Sequence, residues 1–176
     1  MGHFNVVVVT HSSDESAVAG AASQLNPISA SPQRGPVQNE GRTRFIELSD
    51  EAIDDLAATE RTLARTAEIS RATIVWIAAV SSSDAFLYLH WSDGKLQRAL
   101  ICGEEEQFLW GRAEGRAEAW EGAAFDGVKV RGADGVTRVL SEHATEEELR
   151  SPQTGDESLL PRAMEWAAAA LKHWRG

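Results

Sequence analysis

The stretch "HSSDE", which follows the first apolar run of the chain, carries the residue types best suited to chemistry. His11, Asp14 and Glu15 are metal-ligand types, and Ser12 or Ser13 beside His11 could act as an activated nucleophile. A metal site needs three or four converging ligands, and the sequence offers no second histidine cluster. The nucleophile pattern G-x-S-x-G is also absent. We therefore interpret this stretch as a capped turn.

A cysteine nucleophile is the next candidate, and it needs a nearby base. Cys102 is the single cysteine, and His90 is the nearest histidine in the same predicted hairpin. The dipeptide Asp93-Gly94 predicts a two-residue type I′ turn, because both central residues of that turn need positive φ. The resulting register puts His90 and Cys102 on opposite faces. We therefore predict no catalytic residue.

The remaining motifs have simpler explanations. In "HATEEE", Thr145 and Glu148 have the spacing of a capping box, so we predict a short helix there and no metal site. The stretches "GRAEG" and "GADG" fit none of the glycine patterns that bind phosphates. We predict no metal and no cofactor.

Charge and hydropathy restrict the partners. The formal net charge is −10 over 176 residues, and no basic stripe of the kind that binds nucleic acid is present. No apolar run reaches the roughly 20 residues of a membrane-spanning helix. A single cysteine favours a reducing compartment. We expect a cytoplasmic protein that binds neither nucleic acid nor membrane.

Local patterns predict the elements that position these residues. Continuous apolar runs rich in β-branched residues predict strands at 4–9 and 73–80, and "RFIEL" predicts a strand at 44–48. The stretch "QFLWGRAEGRAEAWEGAAF" predicts further short strands around Trp110 and Trp120. Turn signals predict hairpins at 85–102 and 128–140. Helical spacing predicts two main helices, at about 50–69 (capped by Ser49) and at 158–174, with apolar stripes of Ile53, Leu56, Leu63 and Ala67 and of Leu160, Met164, Ala167, Leu171 and Trp174.

The hairpin at 85–102 is apolar on both faces, so both faces need a cover. Its more polar face carries Phe86, Tyr88 and His90 and is expected to lie under a helix, under the segment 10–44 or against a partner. The six tryptophans divide into two groups by their expected burial. We expect Trp76, Trp91 and Trp174 in the core, and Trp110, Trp120 and Trp166 to be partly exposed.

Together these patterns predict an α+β fold: a mainly antiparallel sheet of roughly six to eight strands packed by the two main helices. The length fits a single domain, 1–176, with a long irregular loop at about 10–44. We expect a non-catalytic, acidic protein of a bacterial-type cytosol that acts by contact with a protein partner of basic character, as an inhibitor, immunity-like protein or adaptor. The expected binding surface combines an acidic turn with aromatic anchors: Glu104, Glu105, Glu106, Trp110, Arg112, Arg116 and Trp120.

The alternative is a small enzyme or ligand-binding protein with a pocket between the sheet and the 10–44 loop. Its polar groups would be His11, Asp14, Tyr88 and His90. A bound metal or metabolite in the purified protein would favour this alternative.

Overall fold

The structure is a computed structural model, and it describes residues 3–30, 38–40, 42–80, 85–103, 109–124, 129–131, 137–139 and 163–175. The chain divides into two compact units. We call Asn5–Ile77 with Leu89–Gln97 the N-terminal unit, and Met1–Phe4, Ala78–Tyr88 and Arg98–Gly176 the C-terminal unit. The single domain expected from the chain length stays a prediction.

The described elements are nine strands and five α-helices, with one 3-10 turn at Asn26–Ile28. The strands are β1 His3–Thr10, β2 Gln38–Glu40, β3 Thr43–Glu47, β4 Thr73–Val80, β5 Ala85–Ser92, β6 Lys95–Gly103, β7 Leu109–Gly115, β8 Lys129–Arg131 and β9 Thr137–Val139. The helices are α1 Glu15–Gln24, α2 Glu51–Asp54, α3 Leu56–Ser70, α4 Ala119–Ala124 and α5 Ala163–Arg175.

Seven of the described strands form one sheet in the order β2-β3-β1-β4-β5-β6-β7, and β8 with β9 forms a two-stranded sheet. The pairs β1·β3, β2·β3 and β6·β7 are antiparallel, as is β8·β9, where Lys129 lies opposite Val139. The predicted α+β class with a mainly antiparallel sheet is confirmed, and so is the second hairpin. The predicted helix after Thr145 lies outside the described residues.

The core of the N-terminal unit forms around β1 and β4, whose continuous apolar runs bury Val7 to Val9 and Ile74 to Ile77. One buried polar group sits in this core with its hydrogen bonds satisfied. The Asn5 side chain donates to the Ser49 carbonyl oxygen (3.0 Å) and accepts from Trp76 Nε1 (2.7 Å). Trp76 is fully buried, as the sequence predicted.

Helix α1 lies within the segment 10–44, where the sequence leaves room for a short helix inside a long irregular loop. Its start is fixed by the Asp14 side chain, which accepts from the backbone N–H groups of Ser16 and Ala17. The helix buries Val18 and Ala21. Only one short apolar stripe of α1 is buried, and Gly20 weakens the helix locally. The composition of this stretch therefore resembles that of a loop.

The predicted helix at 50–69 is interrupted at Asp55, so it forms the two helices α2 and α3. The Asp55 side chain caps α3 by accepting from the Ala58 N–H (3.0 Å), and the Thr59 hydroxyl donates to the Ala52 carbonyl oxygen of α2 (2.8 Å). Ser49 is therefore not the cap of this helix. The interruption turns Leu56 outward, to 37% exposure, where a buried position was predicted.

The C-terminal helix α5 begins at Ala163 in the described residues, and positions 158–162 of the predicted helix lie outside them. Its buried face differs from the predicted stripe because Trp166 is buried (1% exposed) whereas Met164 and Trp174 are half-buried. The expectation that Trp166 is partly exposed is wrong. The buried face of α5 comprises Ala163, Trp166, Ala167, Ala170 and Leu171.

The first hairpin has the predicted turn. Strand β5 ends at Ser92 and β6 begins at Lys95, and the two residues between them, Asp93 and Gly94, have φ of 52° and 74°. Positive φ at both positions defines the type I′ geometry. Trp91 is buried, as predicted. The placement of the Cys102 side chain opposite His90 stays a prediction, because that side chain lies outside the described part of the chain.

Two glycine substitutions are expected to have opposite effects on stability. Gly94→Ala forces a Cβ into the left-handed region and to 3.2 Å from Glu68 Cα, so it is expected to lower the free energy of unfolding by about 1–2 kcal/mol. Gly20→Ala in α1 meets nothing within 4 Å and is expected to raise it by about 1 kcal/mol. Urea unfolding of both variants measures the two changes in the free energy of unfolding. Changes of the same sign in the two variants would contradict the turn geometry.

Candidate functional site

A chain of hydrogen bonds in the C-terminal unit links β5, α4 and α5. Tyr88 donates its hydroxyl hydrogen to Glu118 Oε1, and Trp174 Nε1 donates to the Tyr88 oxygen (2.9 Å). Trp120 Nε1 lies 3.4 Å from the same Glu118 oxygen. We call Tyr88, Glu118, Trp120 and Trp174 the Tyr88 network. It gathers one carboxylate and three aromatic donors.

Aromatic rings surround the network. The ring of Trp120 lies 4.7 Å from that of Tyr88 and 6.2 Å from that of Phe86, and the ring of Trp166 lies 5.6 Å from that of Phe86. These are edge-to-face and tilted contacts, which aromatic quadrupoles favour. Helices α4 and α5 therefore cover Phe86 and Tyr88. Of the three covers that the sequence left open for this face, a helix is the one found at these two residues.

A buried ion pair lies beside the network. Arg98 binds Glu121 with both arms of its guanidinium, Nη2 to Oε1 (2.6 Å) and Nε to Oε2 (3.0 Å), and the two side chains are 6% and 1% exposed. Arg98 Nη1 also donates to the carbonyl oxygens of Gly115 (2.9 Å) and Glu114 (3.3 Å) at the end of β7. The pair thus joins β6, the end of β7 and α4.

Glu121 also explains why helix α4 forms where the sequence predicted a strand around Trp120. Its Oε2 accepts from the backbone N–H of Glu118 (2.6 Å), three residues earlier, as the acidic residue of a capping box does. The helix is only six residues long, so its own hydrogen bonds stabilise it weakly. Its position therefore depends on the Arg98–Glu121 pair and on the buried Trp120 ring.

Burial and neighbouring charges shift the pKa values of Tyr88 and Glu121. Burial, and then the nearby Glu118 carboxylate, raises the pKa of Tyr88, so its hydroxyl remains a hydrogen-bond donor at neutral pH. Burial also raises the pKa of Glu121, and the Arg98 guanidinium opposes that rise. A protonated tyrosine and two indole N–H groups can donate but cannot remove a proton. The arrangement can hold an anionic oxygen in place, which here is that of Glu118.

Removing the Tyr88 hydroxyl tests the network. Tyr88→Phe leaves the Trp174 N–H without its acceptor and removes a donor from Glu118, so we expect a loss of about 1–3 kcal/mol in the free energy of unfolding. The matched control is Trp174→Phe, which removes the bond from Trp174 but keeps the bond from Tyr88 to Glu118, and it should cost less. Chemical denaturation followed by circular dichroism measures both. A Tyr88→Phe variant as stable as the parent would mean that the hydroxyl contributes nothing.

In the N-terminal unit, "HSSDE" forms the capped turn that the sequence predicted. His11 Nδ1 accepts from the backbone N–H groups of Ser13 (3.1 Å) and Asp14 (2.9 Å), so this nitrogen serves the turn. Hydrogen bonds, above all the one from the Ser16 hydroxyl, lower the pKa of Asp14 below its ordinary value. Arg42 completes the turn by donating to the Ser12 carbonyl oxygen (2.7 Å).

The four residues of the alternative pocket have different surroundings. His11 and Asp14 share the α1 cap, whereas Tyr88 belongs to the Tyr88 network of the C-terminal unit. His90 is half-buried in β5. A pocket formed by these four residues stays a prediction.

The predicted binding surface at 104–121 is described only in part. Glu104, Glu105 and Glu106 lie outside the described residues, as do the side chains of Trp110 and Arg112. Arg116 is exposed, but Trp120 is only 5% exposed, so the expectation of a partly exposed Trp120 is wrong. The reason is its position in a helix turned toward Phe86 and Tyr88, which no local pattern indicated.

A bulge in β7 also affects this surface. Cys102 pairs with position 110 and Ile101 with position 112, so Gly111 is the additional residue. A single surface formed by this whole stretch stays a prediction.

An exposed acidic surface is present in the N-terminal unit. Five acids within nine positions of β3 and α2 are exposed, and no Lys, Arg or His occurs from position 45 to 60. The exposed Leu56 directly follows them. We call this set the acidic segment; it comprises Glu47, Asp50, Glu51, Asp54 and Asp55.

Within the described ranges, no three His, Cys, Asp or Glu side chains come together as metal ligands. Across the same ranges, none of the helices combines the length and the apolar character needed to cross a membrane. Comparison of the chain with protein-family models, curated proteins and solved structures found no significant match. Function must therefore be argued from the residues of this chain.

Sequence reasoning missed Glu118 and Glu121 as organising residues. Two signals for them were present. Arg98 interrupts an otherwise apolar face of the hairpin, and a buried arginine requires an acidic partner. The spacing of three between Glu118 and Glu121 is that of a capping box.

Proposed function

We propose that the chain is a non-catalytic binding protein that recognises a basic protein partner, as an inhibitor, immunity-like protein or adaptor. The observation that supports this proposal best is the acidic segment with the adjoining exposed Leu56. Five carboxylates over nine positions give this surface a strong negative potential, and the formal charge of the chain is −10. Such a field attracts a basic partner and accelerates its encounter.

The other titratable groups support a binding role over a catalytic one. Glu121 is committed to Arg98, Asp14 to the α1 cap and Glu118 to Tyr88. Each carboxylate therefore has a structural task in the fold. The acids of the acidic segment, in contrast, are exposed.

Neutralising two acids of the acidic segment is expected to slow association with the partner about tenfold at low salt. The change is Glu51→Gln with Asp54→Asn, which leaves the Asp55 cap intact. The measurement is the association rate constant by surface plasmon resonance, at two ionic strengths, with a basic partner identified by cross-linking to the parent protein. The difference between the variants should shrink at high salt.

The matched control neutralises two exposed acids elsewhere in the same unit, Glu15→Gln with Glu68→Gln. The net charge then changes equally, so only the position of the charge differs. Equal slowing in both double variants would assign the effect to net charge and would contradict a localised binding surface.

A second candidate function, a small enzyme or ligand-binding protein, has one specific observation in its favour. In the Tyr88 network, Glu118 and Trp174 are half-buried, so each of these two residues is partly accessible to a ligand. Aromatic walls with a few placed polar groups are typical of ligand sites. A metabolite that raises the melting temperature of the parent but not of Tyr88→Phe would favour this candidate.

A further inference from the structure

We draw no further inference here: the strongest candidate, the half-buried Glu118 carboxylate between the Tyr88 and Trp120 side chains of the C-terminal unit, belongs to the site already described, where the hydrogen bonds from Tyr88 and Trp120 account for it.

Discussion

Arg98→Met is expected to lower the free energy of unfolding by about 3–5 kcal/mol, because it leaves the buried Glu121 carboxylate without its counter-charge. The substitution keeps most of the side-chain volume, so the loss reports charge and hydrogen bonding more than packing. It also removes the donors to the Gly115 and Glu114 carbonyl oxygens at the end of β7. Urea unfolding at neutral pH measures the change.

The loss in the free energy of unfolding caused by Arg98→Met should grow as pH rises. Burial already raises the pKa of Glu121 above its ordinary 4.5, and loss of the guanidinium raises it further. Between 4.5 and the folded pKa, the folded variant binds more protons than the unfolded chain. The stability of the variant therefore falls as pH rises through this window, further than that of the parent, and recovers as pH falls toward 4.5.

The double variant Arg98→Met with Glu121→Gln is the matched control, since it removes both charges. A glutamine cannot titrate, so the stability of the double variant should lack the fall with rising pH that Glu121 gives to the single variant. The double variant should also be more stable than the single one, because no buried charge remains unpaired. A single variant whose cost is the same at pH 5 and pH 8 would show that Glu121 is solvated in the folded protein.

Trp120→Ala is expected to lower the free energy of unfolding by about 3–5 kcal/mol, because the indole fills the space against Phe86 and Tyr88. A surface anchor would behave differently, since its removal weakens binding without affecting the fold. Denaturation of the purified variant separates the two roles without any partner.

Arg116→Ala is the control for Trp120→Ala because Arg116 belongs to the same predicted surface and is exposed. Its removal should change stability by less than about 0.5 kcal/mol. The loss of stability in Trp120→Phe should lie between those of Trp120→Ala and Arg116→Ala, because phenylalanine retains an aromatic ring of smaller area. Unchanged stability in Trp120→Ala would restore this tryptophan as a surface anchor.

The sequence by itself determined those elements that depend on neighbouring residues. The strand β4 was predicted at its observed bounds and β1 to within one residue at each end, because a continuous β-branched run specifies a buried strand locally. The Asp93-Gly94 turn was predicted because its two residues supply the required positive φ. The α+β class followed from these elements and the two long helical patterns.

Only the tertiary structure decided how the helices are divided and which side each one buries. The interruption at Asp55 depends on a cap and on the Thr59–Ala52 hydrogen bond, which compete with a continuous helical pattern. The buried side of α5 is set by Trp166 against Phe86, a contact across 80 positions of sequence. A helical pattern gives only the period of apolar residues, and in an alanine-rich helix several sides fit that period.

The same limit applies to the candidate site. Tyr88, Arg98, Glu118 and Glu121 are individually ordinary in the sequence, and β5, β6 and α4 must be in place before their side chains meet. Burial of the Arg98–Glu121 pair, which shifts the pKa of Glu121, exists only in the folded chain. The acidic segment, in contrast, was visible as composition; the structure added the exposure of its side chains, because exposure depends on which face of β3 and α2 packs inward.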